Sequence, residues 1–139
     1  GSAVIRALHD LEPSAADSDY ARAFQAVSGG RRALVMVFTD LLDEATGRSL
    51  LAAAPVLARR HVLVVASVSD PDLDAILSTP PGSERDALTM VAAIDLLSSR
   101  RRLAARLGAT GATIVQAPPT TLGAACVAAY LRAKRSGRL

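Results

Sequence analysis

Leu34-Val35-Met36-Val37-Phe38-Thr39-Asp40, in a chain of 139 residues, is an apolar run without alternation, closed by a polar pair. Continuous Val, Leu and Met character marks a strand covered on both faces. Two more runs share it. Val62 to Val68 ends at Ser69-Asp70-Pro71, and Ala112 to Val115 ends at Gln116-Ala117-Pro118-Pro119. Parallel strands need crossovers of about a dozen residues or more, and the gaps between the runs supply them.

The first gap, Thr46 to Arg60, places Leu50, Leu51, Ala54, Leu57 and Ala58 on one helical stripe, with Pro55 predicting a kink or a late start. The second gap predicts a short helix over Pro71 to Leu77, a Pro80-Pro81-Gly82 turn, and a long helix from Ser83 to Leu107. Gly108 and Gly111 bracket its exit. A last helix over Thr121 to Arg135 stacks Leu122, Cys126, Tyr130 and Leu131, and an early one over Asp17 to Val27 takes Asp17 or Ser18 as its cap. The sum is an α/β domain: an open parallel sheet of about three strands with helices on both faces. Three strands are few for this architecture.

Composition agrees with one domain over residues 3–139, Gly1-Ser2 reading as a cloning scar with no signal peptide after it. Half of the residues are apolar and 21% charged, which excludes intrinsic disorder. The single cysteine, Cys126, excludes a zinc ribbon or a disulfide framework and suits an apolar helical face. No apolar run approaches the roughly 18–20 residues that span a bilayer, so the fragment is expected to be soluble. Arg132, Lys134, Arg135 and Arg138 lie in the last eight residues, and the rest of the chain carries 12 basic and 13 acidic groups. The formal charge of +3 is thus a feature of the tail. A near-neutral body with two Tyr, two Phe and no Trp lacks both a phosphate-neutralising face and a stacking platform, so no nucleic-acid partner is expected.

Ligands of open parallel sheets sit beyond the carboxyl ends of the strands, and two of the three runs end in aspartate. Asp40 closes the first, with Asp43 three residues on, and Asp70 closes the second. Carboxylates sharing one rim offer the hard oxygens that Mg²⁺ or Mn²⁺ favours. Asp70 before Pro71 also reads as a helix cap with proline at the first helical position. Asp40 has no such proline and is the stronger rim candidate. His61, beside the second strand, reads as a boundary residue, and Gly29-Gly30, which precedes a strand, reads as a turn and not a phosphate cradle. Ser67 and Ser69 have no convincing His partner, and Arg100-Arg101-Arg102 reads as a solvated helix face, with an interaction surface as the alternative. No catalytic set emerges.

Arg31 to Asp43, Leu57 to Val64, Asp70-Pro71-Asp72-Leu73 and the closing Tyr130 to Leu139 resemble the C-terminal half of the domain-of-unknown-function family 58, whose soluble region is similar to a von Willebrand factor A domain. The resemblance implies a three-layer Rossmann-like sheet, present here in part, with a metal-ion-dependent adhesion site at the carboxyl rim. Such a site combines a D-x-S-x-S loop, a threonine or its equivalent on a second loop, and an aspartate after a later strand. Asp40 matches that aspartate, and Ser18 or Asp19 stands near the second loop, without the expected threonine. The D-x-S-x-S loop is missing. A site reduced to a minority of its oxygen donors holds a hard cation poorly, so Mg or Mn is expected in the intact protein and neither in this chain.

The resemblance further implies a non-catalytic protein-interaction module, anchored in the intact protein on the cytoplasmic side of a bacterial membrane and working with a MoxR-type AAA+ ATPase. The alternative is a Mg²⁺-dependent phosphoryl-transfer or hydrolase domain using Asp40 and Asp70. Without its neighbour, the strand at 34–38 leaves an apolar edge open. Self-association through that edge, or cover by the N-terminal segment, is expected.

Overall fold

The computed structural model describes residues 19–40 and 47–139, together with Arg6, His9 and Glu12. The described chain runs α1 (Tyr20–Ser28), β1 (Leu34–Phe38), α2 (Arg48–Arg60), β2 (Val62–Val68), α3 (Pro71–Ser78), α4 (Glu84–Ala109), β3 (Thr113–Ala117) and α5 (Pro119–Arg135). All three strands are parallel, in the order β1-β2-β3. Leu34 lies opposite Val62, and Val64 opposite Thr113.

Successive crossovers in one direction across a parallel sheet are right-handed and put their helices on one face. Accordingly α2 and α4 share a face with α1. There Phe24, Leu50, Ala54, Leu57, Leu103 and Leu107 bury Leu63 and Val65. The opposite face belongs to α5, whose Cys126 and Ala129 close over Val64, Ala66 and Val115. The sheet is therefore the middle of three layers. β2 is buried from Val62 through Ser67, as its unbroken apolar run requires, and each large side chain so enclosed contributes roughly 1.5–3 kcal/mol.

β1 has the same composition in a different place. Among the described residues it pairs on one side only, its residues 34–37 are half-buried, and Phe38 is 66% exposed. Among the described residues, α5 is the sole helix on that face, and Leu34 and Met36 lie at the border of the cluster it covers. The amide of Thr39 donates to Ala66 O, and Ala33 O accepts from Val62. Alternation along a ladder strand then turns the N–H and C=O groups of Leu34, Met36 and Phe38 away from β2.

Several boundaries differ from the sequence reading. α1 is capped by Asp19, whose Oδ1 accepts from the Arg22 amide at 2.9 Å, so the helix starts at Tyr20; Asp17 and Ser18 lie outside the described residues. α2 begins at Arg48 and continues through Pro55, so no late start occurs; Thr46 lies outside the described residues. β3 extends to Ala117, because its backbone ladder with β2 continues under the exposed Gln116. α5 starts at Pro119, a proline at the first turn losing nothing for want of an N–H. Gly111 adopts a φ of +93°, the left-handed conformation that ends α4.

α4 is much longer than the strand it precedes. Its 26 residues span about 39 Å against roughly 17 Å for the five of β3, so its N-terminal half overhangs the carboxyl ends of the strands. With α3 it forms a helical arm around a cleft of about 570 Å³ lined by Ile76, Pro80, Pro81 and Met90. α3 contains no buried residue, and Leu88, Val91 and Ile94 of the arm are exposed.

Candidate functional site

The carboxyl rim is assembled from the ends of all three strands and the middle of α4. Asp40 follows β1 with its side chain 59% exposed. Just before it, Thr39 Oγ1 and the hydroxyl of Tyr20 share a hydrogen bond of 2.6 Å, and this fixes the start of α1 at the end of β1. Asp19 and Asp40 are the chain neighbours of that bonded pair, so both belong to the same rim. Neither carboxylate is idle: Asp19 caps α1, and Asp40 Oδ1 receives the guanidinium of Arg100 at 3.5 Å.

Asp70 also lies at this end of the sheet. Its Oδ1 accepts from the Asp72 amide at 3.0 Å with Pro71 opening α3, which is the cap role its sequence context predicts. A cavity of about 100 Å³ lies over β2, walled by Ser69, Asp70, Asp74, Arg100, Arg101 and Gln116. Ser18 and Asp43 lie outside the described residues.

Arg100 is the rim residue that the sequence reading missed. Arg101 and Arg102 are exposed as a solvated face should be, but the Arg100 side chain is only 12% exposed and its Nε is buried without a partner. The signal was its spacing. Leu96, Arg100, Leu103 and Leu107 follow the helical repeat of the apolar stripe, and Leu103 and Leu107 are fully buried. Arg100 thus starts inside the core face and reaches the rim by its length.

A hard divalent cation needs several oxygen donors converging on one point. Among the described residues no group of three or more His, Cys, Asp or Glu side chains forms such a point. Asp19 is committed to a helix end and Asp40 to a guanidinium, so the described rim does not by itself fit Mg²⁺ or Mn²⁺.

His61 and Cys126 are elsewhere. His61, only 3% exposed, stands before β2 at the opposite end of the sheet, where its Nδ1 accepts from the Ala33 amide at 3.2 Å and its Nε2 is buried unpartnered. Cys126 is buried under α5. Ser67 is buried at the end of β2, its hydroxyl turned to the Val68 carbonyl at 3.5 Å. No helix among the described residues is long and apolar enough to cross a membrane.

Comparison of the chain with protein-family models, with curated proteins and with solved structures gives no match.

Proposed function

We propose that this chain is a non-catalytic protein-interaction module, the C-terminal part of a von Willebrand factor A-like domain, whose partner is a MoxR-type AAA+ ATPase. One observation carries the reading. The carboxyl rim presents a solvent-facing carboxylate, Asp40, anchored from beneath by Arg100, while His61 and Cys126 are buried away from it. A rim of that kind is arranged for recognition; acid–base or nucleophilic turnover needs a poised second group within hydrogen-bond reach.

The three-stranded sheet of the described residues supports the partial-domain half of the reading. β1 has the side chains of an interior strand and the position of an edge strand. A further strand beside it, with a helix over Leu34 and Met36, completes the layers. On this reading, a Mg²⁺ or Mn²⁺ ion at the rim belongs to the intact domain, held by donors beyond the described residues.

The test is co-purification with a MoxR-type ATPase, using the wild type and Asp40→Ala. Retention of the ATPase by the wild type and its loss in Asp40→Ala is the expected result. Equal retention by both proteins overturns it. So does hydrolysis of a phosphoester that disappears in Asp40→Ala, which is the result a Mg²⁺-dependent hydrolase gives.

A further inference from the structure

Charge and exposure coincide on one helix in a way the rim does not explain. Asp95 is the last acidic residue in the sequence, and everything after it that carries charge is basic. α5 buries Cys126, Ala129 and Ala133 against the sheet. At about 100° per residue, Val127, Leu131 and Arg135 form the line pointing the other way, with Arg132 and Lys134 to either side. Val127 is 58% exposed and Leu131 47%, and Tyr130 on the flank is 41% exposed. Gly137, at a φ of +66°, turns the chain so that the Arg138 amide bonds back to Ala133 O, which holds a fourth cation beside the helix end.

We propose that this outward face of α5 docks on an anionic lipid surface. Apolar side chains on a helix lying in the interface, bordered by cations long enough to reach the headgroups, are what such a surface takes up. The charge pattern favours lipid over a protein partner: a face of one sign, with no acid to set a register, matches a fluid surface of one sign. The helix dipole accounts for cations in the last turn, but not for an exposed Val127 and Leu131 aligned with them. α5 leaves the carboxyl end of β3 and runs back along the sheet, so its basic end lies away from Asp40. A docked molecule therefore keeps its rim free.

Co-sedimentation with phosphatidylcholine vesicles, with and without phosphatidylglycerol, tests this directly. The wild type is expected to sediment with the anionic vesicles at low salt and to be released as salt rises. Lys134→Gln/Arg135→Gln should lower the partition roughly thirty-fold, the factor that about 1 kcal/mol per charge gives for two charges. Val127→Ser/Leu131→Ser should weaken it as well, with thermal unfolding followed by circular dichroism unchanged in both variants. Binding that ignores phosphatidylglycerol, or that survives either double substitution, overturns the proposal. So does capture by polyglutamate without capture by vesicles, since that result marks an acidic protein as the partner.

Discussion

Arg100 reaches Asp40 across the end of the central strand, joining by a 3.5 Å contact two residues 60 positions apart in the chain. The pairing is lopsided, with the cation's side chain 12% exposed and the carboxylate's 59%. The open side of the pair faces water, which limits its worth. The buried side carries an unpartnered Nε, which costs stability.

Arg100→Met should therefore leave stability unchanged or raise it by up to about 1 kcal/mol, because the stem is replaced and the orphaned donor removed. Urea unfolding of Arg100→Met, Asp40→Asn and the double variant should give a coupling energy below about 1 kcal/mol. A coupling of about 3 kcal/mol or more would mark a fully desolvated bridge and contradict the exposure of Asp40.

The bond between Tyr20 and Thr39 ties α1 to the rim at 2.6 Å. Tyr20→Phe keeps the ring beside Phe24 and removes the hydroxyl. A loss of about 0.5–1.5 kcal/mol in denaturant unfolding is expected. Amide exchange should quicken in α1 while β2 stays protected, and an equal loss of protection in both would show that α1 unfolds only with the whole domain.

His61 braces the other end of the sheet, accepting from the Ala33 amide that leads into β1. His61→Ala leaves that amide unpaired beside a new cavity and should cost about 1–3 kcal/mol in urea unfolding. Arg60→Ala next to it, at an exposed position, should change stability by no more than about 0.5 kcal/mol. Equal effects at the two positions would remove the brace from the account.

Phe38 stands 66% exposed at the end of β1, an edge strand among the described residues, without a proline, a lysine or an inward-pointing charge in the strand to blunt it. Self-association that grows with concentration is expected in sedimentation velocity, and Phe38→Lys should suppress it with little change in stability. Association that persists in Phe38→Lys would locate the contact away from this edge.

The strands were legible because a parallel sheet leaves a strong trace: β1 and β2 begin and end where their apolar runs do, and the Asp70 cap follows from Asp-Pro. The end of β3 was not, since Gln116 joins the ladder through its backbone, which composition does not report. The rim was legible in half. Asp40 lies where the end of a strand puts it, but Arg100 was grouped by charge with Arg101 and Arg102 when its helical phase grouped it with Leu103 and Leu107. Charge is a property of a residue, whereas burial is a property of its position on the helix.

On the proposed reading, β1 is an interior strand that pairs with a further strand in the whole domain. Amide hydrogen exchange of Met36 and Phe38 tests it, compared between this chain kept monomeric by dilution and a longer polypeptide with a β-strand fused ahead of residue 3. Fast exchange is expected at these two outward amides in the chain alone, beside slow exchange at Val35 and Val37, and strong protection of all four in the longer polypeptide. Protection of Met36 and Phe38 in the monomeric chain, or fast exchange there in the longer one, would contradict it.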